Sequence, residues 1–229
     1  MNEIKTLAIV PVRGGSKGVP RKNLRLIGGV PLVVRAIRSG LDAKLVSQVV
    51  VSTDDDELAA ISESAGAYVL RRPIELAEDD TPMMPVLNHV LDAFEAENNA
   101  VGAVVLLDAT SPFRQAGHVD LCVEKLFYES AQSVITVTQL ERNPFNIFSV
   151  EGDVATKFIQ SPSCVFTSRR EFSHLMRVNG CVYATWAKNI RAGKLIVDPV
   201  CIVEMSASES INIDTPLDLK IAEFLESIF

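Results

Sequence analysis

A regular alternation of apolar, β-branched runs with amphipathic segments of helical length limits the possible folds of this 229-residue chain more than any other feature. We assign strands to the apolar runs and helices to the segments between them. The predicted strands are 7–12, 48–52, 68–70, 101–107, 133–137, 181–184 and 200–204. The predicted helices are 31–39, 56–65, 82–95, 118–128 and 216–228.

This alternation predicts a doubly wound α/β fold with a mostly parallel sheet. Several of the strands are continuously apolar, as expected when helices cover both faces of a sheet. Ligands bind at the carboxyl ends of the strands in such folds. The last helix has clear start signals, because Thr215 is a suitable N-cap, Pro216 suits the first helical position and Asp218 suits the positive end of the helix dipole.

Residues 142–172 interrupt this pattern. They are rich in Ser, Pro, Asn and Phe and contain no long amphipathic helix. We interpret them as an excursion within one domain covering 1–229. The aromatic residues of this part of the chain favour a contact between subunits, although an ordinary surface insertion explains the composition equally well. These aromatic residues are Phe145, Phe148, Phe158, Phe166 and Phe172.

Composition excludes several classes of protein. A net charge of −7 argues against a general nucleic-acid-binding protein, which needs a broad basic surface. The apolar run at 7–12 is too short to span a membrane. The four cysteines, Cys122, Cys164, Cys181 and Cys201, form no C-x-x-C pair and indicate a reduced compartment. We therefore expect a cytoplasmic protein that binds neither nucleic acid nor membrane.

The most informative segment is R-G-G-S-K-G-V-P-R-K-N at 13–23, directly after the first strand. Its glycines let the backbone approach a phosphate chain, and Arg13, Lys17, Arg21 and Lys22 can stabilise the charge of a pyrophosphate leaving group. The spacing fits neither a P-loop nor a dinucleotide-binding fingerprint. A flexible basic loop without a ligand is the competing interpretation.

The segment V-P-V-R-G-G-S-K-G-V-P-R-K-N-L closely resembles the opening signature of the acylneuraminate cytidylyltransferases, the CMP-sialic acid synthetase family. Further blocks resemble the family in the same order along nearly the whole chain. They are V-S-T-D-D-D-E-L-A at 51–59, R-P-I-E-L-A at 72–77, T-S-P-F-R at 110–114, N-G-C-V-Y at 179–183 and I-D-T-P-L-D-L at 213–219. The resemblance implies a nucleotide-diphospho-sugar transferase fold, and transfer of CMP from CTP to a 2-keto sugar acid of the sialic, legionaminic or pseudaminic type.

By this resemblance, we expect Mg²⁺ as cofactor and a homodimer in which Arg170 or a neighbour reaches the partner's site. Arg13, Lys22 and Asp214 are the implied catalytic residues, and Asp214 is our preferred metal ligand. The implied nucleotide-binding residues are Arg13, Gly14, Gly15, Ser16, Lys22, Asn23 and Arg72. The implied acceptor-binding residues are Asp108, Thr110, Ser111, Arg170, Asn179 and Tyr183. Asp54, Asp55 and Asp56 stand where a strand gives way to a helix, so we interpret them as an N-cap and not as metal ligands.

Two positions depart from the family pattern. The family commonly has D-x-D where this chain has Asn212-Ile213-Asp214, and a glutamine where this chain has Asp108. Asp108 could supply the missing charge and bind the metal beside Asp214, or it could recognise a different sugar. Two other functions stay open: a nucleotidyltransferase for another acceptor, such as a sugar phosphate or phosphonate, and a nucleotide-binding protein that has lost catalysis, which Asn212 alone suggests.

Overall fold

The computed structural model describes residues 5–15, 18–98, 100–159 and 175–228. Its strands are β1 (Thr6–Pro11), β2 (Leu26–Ile27), β3 (Val30–Pro31), β4 (Gln48–Thr53), β5 (Tyr68–Arg71), β6 (Ala103–Leu107), β7 (Ser133–Gln139), β8 (Phe148–Glu151), β9 (Val154–Lys157), β10 (Met176–Trp186) and β11 (Val200–Glu204). Its α-helices are α1 (Leu32–Leu41), α2 (Asp56–Ser64), α3 (Met83–Glu97), α4 (Ala116–Tyr128), α5 (Ala187–Arg191) and α6 (Pro216–Ile228).

One large sheet organises the molecule. Seven of the described strands pair in the order β11-β7-β10-β6-β1-β4-β5. β10 runs antiparallel to both of its neighbours, and the other pairs are parallel. This confirms the predicted mostly parallel α/β sheet.

The apolar runs form central strands because both of their faces are buried. In β1, Leu7 and Ile9 pack against α3 and α5, whereas Ala8 and Val10 pack against the side formed by α1, α2 and α4. The two faces of a strand alternate along the chain, so a strand between two helical layers must be apolar at every position. The continuously apolar strands therefore account for the layer of helices on each face of the sheet.

A third apolar cluster fixes the segment between β1 and α1. It joins Val19, Ile27 and Leu32 to Ile213 and to Ala222 of α6. The C-terminal helix is thereby packed against the loop that follows the first strand, which places residues distant in sequence at one edge of the sheet.

Every predicted strand and helix is present, with boundaries shifted by a few residues. The sequence-based prediction missed α5, the short pair β2–β3 and the hairpin β8–β9. These elements are two to five residues long, too short to give a periodic signal. β10 begins at Met176, earlier than predicted. The prediction missed its first residues because Arg177 interrupts the apolar pattern there.

The described part of the excursion, up to residue 159, contains the antiparallel hairpin β8–β9, which forms a sheet separate from the large one. Residues 160–174, which include Cys164, Phe166, Arg170 and Phe172, lie outside the described residues. Cys122, Cys181 and Cys201 carry free thiols. Among the residues described, none of the helices combines the length and apolar composition that a membrane span requires.

Candidate active site

A cavity of about 410 Å³ opens at the carboxyl edge of the large sheet. Its walls come from the loops after β1, β5 and β6 and from the segment just before α6. The lining residues are Pro11, Arg13, Gly18, Lys22, Asn23, Arg72, Leu76, Glu78, Asp79, Thr81, Met83, Val86, Asp108, Thr110 and Asp214.

The loop after β1 is held by its own buried residues. Val19 is 3% exposed in the third apolar cluster, and the Asn23 amide donates to the carbonyl oxygen of Arg13 at 3.1 Å. Gly18 lies so close to the Asp214 main chain that a Cβ there would be 2.3 Å from its carbonyl oxygen. Only glycine permits this approach, which brings the loop and Asp214 together.

Carboxylates contact several of the described donor groups of this loop. The N–H of Gly14 donates to the Asp54 carboxylate at 3.2 Å, and Lys22 Nζ lies 2.9 Å from Asp214 Oδ1. The Arg21 guanidinium bridges Asp55 and Glu57. These contacts occur because the N-terminus of α2 and the start of α6 both face the loop.

Asp55 is the N-cap of α2, as predicted for this aspartate run, and its side chain accepts from the Leu58 N–H at 2.9 Å. The hydrogen bond from Arg21 holds the pKa of the Asp55 carboxyl below its ordinary value, against the opposing effect of burial. Asp55 therefore stays ionised and keeps Arg21 turned toward α2.

Two arginines, Arg13 and Arg72, line the cavity. Arg13 donates through Nη1 to the carbonyl oxygen of Glu78 at 2.9 Å, and its Nη2 lies 2.7 Å from Asp79 Oδ1. Arg72 donates to Ser52, at 3.1 Å to Oγ and 2.7 Å to the carbonyl oxygen, at the end of β4. Burial lowers the pKa of Arg72, and the nearby Asp54 opposes that shift.

Two carboxylates that line the cavity are candidates for holding a cation. Asp108 follows β6 and accepts from the Thr110 N–H at 3.0 Å, and Asp214 precedes α6. The main chains of these two segments are joined by a hydrogen bond, in which the Ile213 N–H donates to the Thr110 carbonyl oxygen at 2.9 Å. Within the described ranges, no group of three or more His, Cys, Asp or Glu side chains could hold a metal alone. A pair of carboxylates nevertheless suits Mg²⁺, which commonly takes one or two protein carboxylates together with substrate phosphates.

The N-G-C-V-Y block forms a bulge in β10 and not a wall of this cavity. Pairing with β7 shifts register between Val178 and Tyr183, and Gly180 has φ 76° at that point. Asn179 is 4% exposed. Its oxygen accepts from Thr136 Oγ1 at 2.6 Å and from the Cys181 N–H at 3.1 Å, and its amide nitrogen donates to Ser210 Oγ at 2.9 Å. These bonds place Asn179 in the protein interior.

The remaining acceptor-side residues lie around the bulge. Ser111 is buried and Tyr183 is half-buried, and neither lines the cavity. Burial raises the pKa of the Tyr183 hydroxyl, and the negative charge of Asp108 raises it further. A Cβ added at Gly180 would lie 3.7 Å from the Asn212 amide nitrogen and 4.0 Å from the Tyr183 hydroxyl.

The structure thus brings seven of the candidate residues to one cavity: Arg13, Lys22, Asn23, Arg72, Asp108, Thr110 and Asp214. It does not bring Gly14, Gly15, Ser111, Asn179 or Tyr183 to that wall. Ser16 and Arg170 lie outside the described residues. Sequence analysis missed Glu78 and Asp79, which have no signal beyond belonging to an acidic turn.

A parallel α/β sheet with cations and carboxylates gathered at its carboxyl edge is typical of nucleotide-binding proteins of the doubly wound class. The family model described as cytidylyltransferase matches residues 7–186. The chain belongs to this cytidylyltransferase family, whose members include N-acylneuraminate cytidylyltransferases and CMP-legionaminic acid synthases.

Two relatives and one solved structure illustrate the similarity. The chain is 30% identical to the CMP-N,N'-diacetyllegionaminic acid synthase of Legionella pneumophila over 227 residues, covering 97% of this chain and 96% of the relative. It is 31% identical to the N-acylneuraminate cytidylyltransferase A of Danio rerio over 219 residues, covering 94% of this chain but only about half of that relative, 49%. The structure of a CMP:2-keto-3-deoxy-manno-octonic acid synthetase complexed with CTP shares the fold at 18% identity, with a TM-score of 0.71 and coverage of 98% and 99% of the two chains.

Proposed function

We propose that the protein transfers CMP from CTP to the anomeric hydroxyl of a 2-keto sugar acid, of the sialic, legionaminic or pseudaminic type, and releases pyrophosphate. The convergence of Arg13, Lys22 and Arg72, from three separate segments, on a cavity that also presents Asp108 and Asp214 carries this proposal. The names of the relatives, an N-acylneuraminate cytidylyltransferase and a CMP-legionaminic acid synthase, support the same reaction.

The proposed reaction needs charge stabilisation more than a covalent nucleophile. The hydroxyl oxygen forms a bond to the α-phosphorus, and the bond from that phosphorus to the oxygen bridging to the β-phosphate breaks. Negative charge then grows on the departing pyrophosphate. Arg13 and Lys22, on the loop after β1, would stabilise it, because charged hydrogen bonds to phosphate are strong.

We propose Mg²⁺ as the cofactor, with Asp214 and Asp108 as its protein ligands. When bound, the ion would neutralise part of the charge of the nucleotide phosphates. Asp214 now contacts Lys22, so occupation of Asp214 by a cation would free the Lys22 ammonium for the phosphates.

The role of Asp108 can be separated from sugar recognition by Asp108→Asn. If Asp108 holds the metal, this change raises the half-saturating Mg²⁺ concentration about tenfold, as expected for loss of a charged ligand, and weakens Mn²⁺ binding measured by electron paramagnetic resonance without substrate. If Asp108 instead recognises the sugar, both metal measurements stay unchanged and the preference among sugar acids shifts.

We propose a homodimer that is formed through the excursion at 142–172. The β8–β9 hairpin exposes Phe148, Val150 and Val154 at 45%, 65% and 68% of their surfaces. A two-stranded hairpin is only marginally stable alone in water, and this one has an apolar surface to cover. Analytical ultracentrifugation at micromolar concentration tests the proposal, since a species of only 25.0 kDa would contradict it.

The reaction is tested by measuring pyrophosphate release from CTP and Mg²⁺ with sialic, legionaminic, pseudaminic and ketodeoxyoctonic acids. Release with one of these acids, and none when UTP replaces CTP, is the expected result. No release with any acid, while CTP still binds, would contradict the proposal. We also propose a cytoplasmic location, where CTP is made and where Cys122 and Cys181 would stay reduced.

A further inference from the structure

The charged side chains of the cavity are unusual for a site that would take a triphosphate. Its described walls carry more carboxylates than cations, with Arg13, Lys22 and Arg72 facing Glu78, Asp79, Asp108 and Asp214. A nucleoside triphosphate entering this cavity would meet like charges at short range, which oppose its binding. Some of these carboxylates must therefore be neutralised or move away when the phosphates arrive.

Asp108 and Asp214 have a proposed role as cation ligands, whereas Asp79 has none. Asp79 belongs to the segment between the 3-10 helix Ile74–Leu76 and α3. The Arg13 guanidinium spans the cavity to this segment and makes two contacts with it, one to the Glu78 carbonyl oxygen at 2.9 Å and one to the Asp79 carboxylate at 2.7 Å. The two side chains keep 29% and 39% of their surfaces exposed, so water and solutes can reach the pair.

The segment that carries Asp79 is weakly anchored. The 3-10 helix before it has no buried residue, and the first buried side chain after it is Val86. Its local bonds include a long one from the Thr81 N–H to the Glu78 carbonyl at 3.3 Å. The two contacts from Arg13 connect this segment to the loop after β1.

We propose that Asp79 acts as a phosphate stand-in that holds Arg13 across the mouth of the cavity and gives it up when the nucleotide phosphates bind. This inference rests on the proposed function, because it requires the ligand to be a nucleoside polyphosphate. A phosphate group offers a guanidinium more charge and better bidentate geometry than one carboxylate oxygen. Asp79 is thus a positioning residue that acts through Arg13.

The neighbouring Asp80 supplies a matched control, because it does not line the cavity. Asp80→Asn removes the same charge as Asp79→Asn, at the next position in the chain. We would titrate CTP and cytidine into the wild-type protein, Asp79→Asn and Asp80→Asn by calorimetry without metal. Asp79→Asn should bind CTP roughly twofold to fivefold more tightly, the range expected for an exposed ion pair that no longer competes. Its affinity for cytidine, which has no phosphate, should equal that of the wild type.

A third variant identifies Arg13 as the group through which Asp79 acts. In an Arg13→Gln background, addition of Asp79→Asn should tighten CTP binding much less than it does when Arg13 is present, because no guanidinium remains at position 13 for the carboxylate to hold. Thermal unfolding of each variant checks that the fold is kept. Unchanged or weaker CTP binding by Asp79→Asn would overturn the inference, as would equal tightening by Asp80→Asn or equal tightening toward cytidine. Failure of the wild type to bind CTP would overturn the proposed function itself, and this inference with it.

Discussion

The loop after β1 and the bulge of β10 both match the family's sequence blocks, yet the structure uses their polar residues differently. In the loop, Arg13 and Lys22 project into the cavity and contact carboxylates there. In the bulge, the Asn179 amide bonds to Thr136 and Ser210 in the interior. A matching motif thus identifies residues that the family requires, but it does not distinguish a residue that would contact substrate from one that holds the chain in place.

The difference has a physical cause. Gly14 and Gly18 let the loop run close to α2 and to Asp214, which leaves its long cationic side chains free to reach the cavity. Gly180 instead adopts a positive φ within a bulge, and the backbone groups freed there from β-sheet pairing must find partners in the interior. Asn179 is one such partner, since it accepts from the Cys181 N–H.

The largest expected effect is on the loop side of this comparison. Lys22→Ala should lower kcat/KM for pyrophosphate release by about a hundredfold to a thousandfold, as for loss of one group that stabilises transition-state charge. The unfolding free energy should change little, because the Lys22–Asp214 contact is partly exposed. Lys44→Ala, at an exposed lysine that does not line the cavity, is the control. Wild-type turnover by Lys22→Ala would contradict the proposed role of Lys22 in stabilising the charge of the leaving group.

The next effect is on the stability of the bulge. Asn179→Ala should reduce the free energy of unfolding by about 2–3 kcal/mol, because it leaves the Cys181 N–H without its buried acceptor and removes the buried bonds to Thr136 and Ser210. Urea unfolding measures this loss, and the KM for CTP should stay close to that of the wild type. A stable Asn179→Ala protein with a raised KM for the sugar acid would instead make Asn179 a substrate-binding residue and would break the comparison.

A smaller effect is expected where the loop touches Asp214. Gly18→Ala should lower kcat/KM roughly tenfold, since the new methyl group forces the loop away from the Asp214 carbonyl and misplaces Lys22. Gly117→Ala is the matched control, because a Cβ at that helical position meets nothing within 4 Å. Equal activity of the two variants would mean that the close approach of the loop does not matter for the reaction.

The smallest effect concerns pH. Because Arg21 lowers the pKa of Asp55 in the folded state, the native protein binds fewer protons there than the unfolded chain does. The resulting stability is present above the ordinary aspartate pKa and is lost as pH falls through the lowered folded value. Asp55→Asn keeps a good N-cap but loses this ion pair. Its deficit in unfolding free energy, less than about 1 kcal/mol at pH 7, should shrink on acidification; a deficit independent of pH would contradict the assignment.

The sequence was a good guide wherever a pattern extended over many residues. The apolar strands, the long helices and the Asp55 N-cap were all predicted, because burial on two faces and helix capping restrict local residue choice. The short elements were missed, and so was Asp79, which is one acid among several in an exposed turn. Its pairing with Arg13 joins positions 13 and 79, a contact that no local pattern records.

What the sequence by itself determined is the type of sheet, the place of the cationic loop directly after the first strand, and the family. These follow from periodicity, glycine spacing and charge within short stretches of chain. Only the tertiary structure decided which polar groups meet: that Lys22 lies against Asp214, that Arg13 spans the cavity to Asp79, and that Asn179 is buried. The physical reason is that these contacts depend on how the loops at the ends of different strands pack together, and that packing is fixed by the shared core and not by the residues of any one loop.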